Sequence, residues 1–488
     1  MASLTNDRRS ALLRALSLRS THAESTLPTD IFPVPEHLRA LEAEVVLIVG
    51  DRGAGKTQLK NALTKADVRE ALVRHAPGVR VPSGEVLWLQ GWPLGTGGPD
   101  SRGWMELLRD SPPGDDLVAI WSAYLLRAVK PYLLPAELEE TSPIHQVRAV
   151  DARAVLASYQ QVGVAVTAVL DALDERLTHE DRWLFVAYDE LDTVVLEDWR
   201  AMGAVIRGLV SFWAAYARRW RRLRPKLFLR SDFFKHHRDV AGADVAKLAG
   251  NRVELQWSDK NLYSALLKHI LNKVDVSGDR PLRDFFSRTV RTTQDAVLGV
   301  LPALSQATDA KPFVARLVSE YMGANEGKGL SFRWILDHLR DGNKHAVPRS
   351  LVLLIEQSAE FELDRPLATG AHLLHHVSVR NALDSVSVEY VNQAKTHELR
   401  WLDGLARRLG RDRKVPWTRR ELIKLLGFEF PESWSSTGAR PPGNDPEEVL
   451  ESLIELGVLR PRPGDLLDVP DLYLDGLGLK RKGGVARK

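Results

Sequence analysis

At 488 residues the chain is too long for one compact core and reads as two or three domains. A hydrophobic fraction of 44% beside 27% charged residues excludes a disordered chain, and the lack of cysteine excludes disulfides and thiolate metal sites, which fits a reducing cytoplasm. The net charge of +3 is too small to dictate a partner, so only local clusters of charge are informative.

Residues 1–31 read as a polar, partly helical lead-in, and Asp7 and Glu24 oppose reading its arginines and serines as a transit peptide. No window offers the roughly 20 apolar residues that span a bilayer, so no membrane partner is expected. Residues 45–49 form a short β-branched run that stops at Gly50, the pattern of a buried strand, and helical spacing follows over 57–71. Residues 85–89 predict a second strand. Between about 92 and 182 the spacing is helical, clearest over 116–134 and 162–177. Uninterrupted apolar runs at 183–188 and 226–229 predict two more strands, with a long helical stretch over 196–223 between them. A strand over 252–257 precedes a helix of about fifteen residues. Strands alternating with helices predict an α/β fold with a parallel sheet covered on both faces.

Beyond residue 259 the strand signals fade and helices dominate to about 409. A helix over 418–426, a Pro/Gly/Ser-rich loop over 432–445, a helix over 446–456 and two extended pieces around Pro463-Gly464-Asp465 follow. That is the order of a winged helix. The expected organisation is a lead-in (1–31), a P-loop core (32–258) with a helical insertion over about 92–182, a helical lid (259–410), a winged-helix-like domain (411–480) and a basic tail (481–488).

The strongest chemical signal is Gly50-Asp51-Arg52-Gly53-Ala54-Gly55-Lys56-Thr57, a full Walker A pattern between a strand and a helix. Its glycines let backbone N–H groups close around phosphate oxygens, and the helix that begins here adds its positive dipole end. Residues 50–58, through Gln58, are the expected nucleotide-binding segment. Lys56 reaches the β- and γ-phosphates, and the Thr57 hydroxyl holds Mg2+. The second signal is Leu184-Phe185-Val186-Ala187-Tyr188-Asp189-Glu190, an apolar strand delivering two carboxylates at its C-terminal end. Asp189 is expected on Mg2+ and Glu190 as the base that polarises the attacking water; Asp192 is either a further ligand or a helix cap. The expected metal site joins a hydroxyl and an acid from two adjoining strands. The Asp-Glu pair, without an Asn/Thr-Lys-x-Asp guanine motif, favours ATP; no Leu-Ser-Gly-Gly signature stands out.

In Leu227-Phe228-Leu229-Arg230-Ser231-Asp232, the polar residues at a strand end are placed to sense a γ-phosphate, although a salt bridge explains Arg230 and Asp232 equally well. Arg349, just inside a helix opened by Pro348, is placed to report γ-phosphate loss as movement of a lid. The basic run over 218–224, with Trp213 and Trp220 near it, reads more readily as a solvated helix face than as a phosphate grip. The histidines at 236, 237, 372, 375 and 376 lack partners at ligand spacing, so no metal is assigned to them.

Walker A, Asp189-Glu190, the polar strand end at 230–232, Pro348-Arg349 and a terminal winged helix together resemble the ordered parts of AAA+-like ATPases. The origin-recognition and STAND groups carry such a winged helix after the lid. The chain resembles most a set of large bacterial P-loop ATPases, in which the loop reads like Gly-x-Arg-Gly-Ala-Gly-Lys-Thr and the fourth strand like Leu-Phe-Leu-Arg-Ser-Asp. There a segment like Val253-Glu254-Leu255-Gln256-Trp257 follows, and the end resembles Val469-Pro470-Asp471-Leu472-Tyr473. The resemblance spans roughly residues 32–480. It implies a core with an additional strand and catalytic glutamate (ASCE type), ATP and Mg2+ as cofactors, and a homo-oligomer or protein effector as partner. Some such relatives sit in mobile or anti-phage defence loci. One departure is that Lys56 and Asp189 stand 133 positions apart, about twice the spacing of a compact AAA+ core, which counts against a standard hexamer and leaves Arg230 and Arg238 both open as arginine fingers. The competing expectation is DNA control through the winged helix. It is disfavoured because the helix that would enter the groove carries Glu447, Glu448, Glu451 and Glu455.

Overall fold

The computed structural model describes residues 4–18, 27–110, 112–195, 199–232, 234, 248, 250–397, 399–427, 434, 439 and 441–482. Arg238, His236, His237, half of the 432–445 loop and residues 483–488 of the tail lie outside them. In chain order the elements used below are α1 (Asn6–Ser17), β1 (Leu47–Gly50), α2 (Lys56–Thr64), α3 (Ala66–Arg74), β2 (Glu85–Trp92), α4 (Gly114–Ala128), α5 (Ala152–His179), β3 (Arg182–Tyr188), α6 (Trp199–Tyr216), β4 (Leu223–Arg230) and β5 (Val253–Glu254). They continue with α7 (Asp259–Asn272), β6 (Thr292–Asp295), β7 (Gly299–Pro302), α8 (Pro348–Asp364), α9 (His376–His397), β8 (Lys414–Val415), β9 (Trp417–Thr418), α10 (Arg419–Leu426), α11 (Pro446–Glu455), β10 (Arg460–Arg462), β11 (Leu466–Asp468), α12 (Asp471–Leu474) and β12 (Lys480–Arg481).

The chain divides into two compact units. One comprises Pro35–Asp51 and Leu59–Leu255; the other comprises Met1–Val34, Arg52–Gln58 and Gln256–Lys488. The first unit is an α/β fold around a five-stranded sheet of order β2-β3-β4-β1-β5, parallel throughout. This is the P-loop topology with a strand added between β1 and β3. The acid-bearing strand is therefore not adjacent to β1, contrary to the expectation of adjoining strands; β4 lies between them. All four residues of β1 are buried, as a central parallel strand covered on both faces requires. The expected helix over 57–71 is two helices, α2 and α3, because Lys65 takes an extended conformation (φ −93°, ψ 122°) between them.

The segment between β2 and β3 is helical, and aromatic packing ties it to the sheet. Trp121 of α4 lies edge-on to both Trp92 and Tyr188, with centroids 6.0 and 5.9 Å away, and Tyr188 packs in turn on Trp213 at 6.1 Å. Trp121 Nε1 donates to Val205 O at 2.8 Å, which anchors the cluster to α6. The residue just before Asp189 therefore sits in a rigid aromatic wall. Contrary to the sequence expectation, α5 is long and apolar enough by length and composition to cross a membrane. Its face of Val155, Val166, Val169, Leu170, Leu173 and Leu177 is buried. The buried Asp174 of α5 accepts the backbone N–H groups of Arg221, Arg222 and Leu223 at 2.9, 2.7 and 2.8 Å, which holds the start of β4. Three arginines of the basic run over 218–224 have structural partners. Arg219 pairs with Asp171, Arg222 pairs with Asp181 and lies 4.4 Å over the Trp183 ring, and Arg224 donates to Ala43 O at 3.2 Å.

In the second unit the lead-in helix α1 buries Leu12, Leu13, Ala15 and Leu16 and packs on α8. A hairpin, β6–β7, lies where the sequence reads as helical. Its turn is made by Asp295 Oδ1, which accepts the N–H groups of Val297 and Leu298 at 2.8 and 3.0 Å. Its second strand is held by Asn272 of α7, which both donates to Val300 O and accepts from Val300 N at 2.9 Å. The last domain has the winged-helix order: β9, α10, α11, then the antiparallel hairpin β10–β11, which pairs back onto β9. Thr418 and Glu421 form a capping box at α10, and Asp445 caps α11 by accepting Glu447 N and Glu448 N at 2.9 Å.

Candidate functional site

Gly50 ends β1, paired in register with Arg230 of β4, and the chain turns through residues 51–55 into α2. Gly53 and Gly55 have φ of +77° and +96°, a region that side chains strain to reach. These are the glycines a phosphate-cradling turn needs, placed where the next backbone N–H groups open the helix. Ala54 is buried; Asp51, Arg52, Gly53, Gly55, Lys56, Thr57 and Gln58 are half-buried. The turn is held from several directions within its own unit. Trp257 Nε1 donates to Ala54 O at 2.9 Å, Gln58 Nε2 donates to Asp30 O at 3.2 Å, and Arg52 donates to Tyr390 O at 3.0 Å. A methyl group on Gly53 would come within 3.1 Å of Val347 Cγ2 and 3.2 Å of Arg349 Cβ. The structure thus brings Arg349 against the glycine turn, and Val347, Trp257 and Tyr390 join it there. Sequence reasoning missed the last two as turn contacts; Trp257 had a visible signal, an aromatic just beyond the last core strand.

At the end of β3, Asp189 is 1% exposed. Its N–H is taken by Trp92 O at 3.1 Å, while Oδ2 has no hydrogen-bond partner and lies 3.5 Å from the Lys60 ammonium. A buried carboxylate oxygen without a hydrogen bond is costly unless a cation approaches it, so the residue fits an oxygen-seeking ion such as Mg2+, which takes one or two carboxylates and keeps several waters. Lys60, one turn beyond Lys56 on α2, is the charged neighbour that sequence reasoning missed. The i,i+4 spacing of the two lysines is its only trace in the sequence.

Glu190 is exposed and takes a left-handed conformation, φ 53° and ψ 32°, which costs a non-glycine residue about 1–2 kcal/mol. Desolvation first, and then the adjacent Asp189 carboxylate, push its pKa above the ordinary value; Lys60 opposes this and Asp192 adds to it. A carboxylate held out of the sheet end with a raised pKa suits a general base.

Arg230 is 8% exposed. Its Nε donates to Asp232 Oδ1 at 3.0 Å, its Nη2 bonds Asp232 Oδ2, and Nη1 lies 3.5 Å from Asp192 Oδ2. The fork–fork pair with Asp232 is the salt-bridge arrangement, at the same sheet edge as Gly50. Asp192 therefore faces Arg230, and the short 3-10 turn Leu191–Thr193 contains it.

No known protein family matches the sequence, and no curated protein matches it. Among solved structures, the chain is similar to the ORC2 protein of Aeropyrum pernix in its ADPNP–ADP complexes, with 14% identity, 91% of this chain and 89% of that one covered, and a TM-score of 0.38. The ADP form of the same protein aligns at 13% identity over 90% and 87% of the two chains, with a TM-score of 0.31. Cdc6p from Pyrobaculum aerophilum aligns at 11% identity over 98% and 97%, with a TM-score of 0.30. The assignment to an α/β P-loop core rests on the strand order and parallel register of the sheet.

Proposed function

We propose that this chain is an ATP-hydrolysing switch of AAA+ type that couples nucleotide state to a change of conformation or assembly. The observation that carries the reading is the sequence of parts along the sheet edge: a strand, a turn with two glycines at positive φ and a Lys-Thr helix start, with a second strand ending in a buried acid and an exposed one. In this reading the backbone N–H groups of residues 51–57 receive the phosphates and Lys56 neutralises the β- and γ-oxygens. The Thr57 hydroxyl and Asp189 would hold Mg2+, which would screen developing charge on the phosphates. Glu190 takes a proton from the attacking water, and the left-handed backbone that presents it is strain of the kind stored at working sites. Arg349 packs on the glycine turn and acts as the reporter of the γ-phosphate. Arg230 orders the sheet edge through Asp232 and Asp192. An ATP-dependent homo-oligomer or an effector protein in a bacterial cytoplasm is the proposed output, with anti-phage defence as the setting that the sequence resemblance suggests.

DNA control is not favoured, because α11 carries Glu447, Glu448, Glu451 and Glu455, a concentration of acid that DNA phosphates repel, and Glu451 pairs with Arg419. The direct test is Mg·ATP binding by calorimetry. The parent is expected to bind and Lys56→Ala to lose affinity at least about 100-fold, in line with removing a buried charge-assisted contact. Equal affinity in the two proteins would remove the nucleotide reading.

A further inference from the structure

The glycine turn is tied to the winged helix by two separate routes, both inside the second unit. The first starts at Arg52. Its guanidinium donates to Tyr390 O at 3.0 Å and to Gln393 Oε1 at 3.4 Å, and lies 5.3 Å from the centre of the Tyr390 ring. Both acceptors are on α9. The same helix also carries the end of the winged-helix domain. The Tyr390 ring meets Tyr473 of α12 edge-on at 5.3 Å, and Gly476 N donates to Ser387 Oγ at 3.0 Å. A methyl group on Gly476 would fall 2.5 Å from Ser387 O and from Val391 Cγ2, so this joint has no slack.

The second route runs through the loop before α8. Asp341 Oδ1 accepts Asn343 N and His345 N at 2.9 Å and shapes that loop. Gly342 N donates to Gly457 O at 2.7 Å and Asn343 Nδ2 to Glu455 O at 2.8 Å, at the C-terminal end of α11. A methyl group on Gly342 would lie 2.2 Å from Leu459 O. The same loop leads into Val347 and Arg349 against Gly53. The two routes are cross-braced, since Glu389 of α9 accepts Gln393 Nε2 at 3.0 Å and Gln357 Nε2 of α8 at 2.8 Å.

From this geometry we infer that Arg52 is the positioning residue that transmits the state of the glycine turn to the winged helix through α9. The inference rests on the nucleotide reading above and assigns its regulation. The physical reason is that Arg52 lies within the turn, between Gly50 and Gly53, so backbone rearrangement around phosphates moves its Cα. A planar guanidinium keeps two acceptors on one helix only over a narrow range of positions. Filling or emptying the turn therefore favours different placements of α9, and glycine-tight joints carry that difference into α12. A ligand shifts such an equilibrium only through contacts that differ between the two states, and the Arg52 bonds are the contacts that differ.

The test is hydrogen exchange on the full chain, comparing α9, α11 and α12 with and without a non-hydrolysable Mg·ATP analogue. The parent is expected to show a nucleotide-dependent change of about fivefold or more in these helices. At analogue concentrations that saturate each protein, Arg52→Ala should show less than about a twofold change in these helices. Arg52→Lys, which keeps the charge but not the fork, should fall between them. Gln393→Ala, which removes an acceptor on α9 and leaves every residue of the turn in place, should weaken the response in the same direction, which guards against a folding defect in Arg52→Ala. A parent that binds and responds while Arg52→Ala responds equally refutes the coupling alone. The coupling is likewise overturned if the parent binds without change in these helices, or if folded Arg52→Ala loses affinity more than about tenfold, the mark of direct ligand contact. A parent that binds no analogue overturns the nucleotide reading and the coupling together.

Discussion

Lys60 offers the sharpest test of how the acid end of β3 is held. Its side chain is 11% exposed, that of Asp189 2%, and Nζ stands 3.5 Å from Oδ2. At that separation, with an effective dielectric of about 20, the attraction is about 5 kcal/mol before desolvation is counted. Breaking a buried pair by removing one partner costs about 3–5 kcal/mol, because the remaining charge is left without compensation. The pair makes no hydrogen bond through Oδ2, which places Lys60→Met at the lower end, about 3 kcal/mol of destabilisation. For a unit of this size that corresponds to a fall of roughly 6–12 °C in its melting transition. Thermal and urea unfolding followed by far-UV circular dichroism measures it. Two further arms make the test specific. Asp189→Asn on the Lys60→Met background should recover most of the loss, because the orphaned charge is gone. Mg·ATP should stabilise Lys60→Met more than the parent, because a divalent ion on Asp189 replaces the missing ammonium. A Lys60→Met protein within about 0.5 kcal/mol of the parent, or a double variant no better than the single one, would refute the reasoning.

Glu190→Gln should lower ATP hydrolysis by about 100-fold or more with nucleotide affinity nearly unchanged, the pattern for loss of a general base; a variant that turns over like the parent would remove the assignment. The pKa of Glu190 is raised in the folded chain, so hydrolysis should fall with acid at a higher pH than an unshifted glutamate would give. The folded state also binds the extra proton between the unfolded and folded pKa values, so this group's stability contribution is present below the unfolded value and lost as pH rises through the folded one. Glu190→Gln should flatten that slope in denaturation measured across acid pH. Gly53→Ala forces a side chain into φ +77° against Val347 and Arg349; a stability loss of about 1–2 kcal/mol and weakened Mg·ATP binding are expected, and an unaltered affinity by calorimetry would contradict the tight-turn argument. Duplex DNA at low salt should leave the hydrolysis rate within about twofold, because α11 is acidic; stimulation of about tenfold with a steep salt dependence would instead restore the DNA-control reading.

Some of this was visible in the residues themselves. Short apolar runs mark β1, β3 and β4 because a parallel strand covered on both faces has no polar side to show. The glycine spacing before Lys56-Thr57 marks the turn because few residues can take its backbone angles. The acidic character of α11 was equally legible, since it needs only helical period and charge. The β6–β7 hairpin was not legible, because its second strand is held by Asn272, a partner 28 positions away, and no local pattern encodes that distance. The break at Lys65 was missed for the converse reason: helical spacing continues through it, and only the backbone shows the interruption.

The site divides in the same way. The sequence alone pointed to the groups proposed to carry the chemistry: the Walker A residues, Asp189 and Glu190 sit within short motifs whose backbone demands are local. Tertiary structure alone decided how they are held: β4 between β1 and β3, Lys60 beside Asp189, Arg230 locked to Asp232, Arg349 against Gly53, and Arg52 bonded to α9. Those arrangements join positions up to hundreds of residues apart, and burial decides them, because a buried charge must find its partner wherever the folded chain brings one.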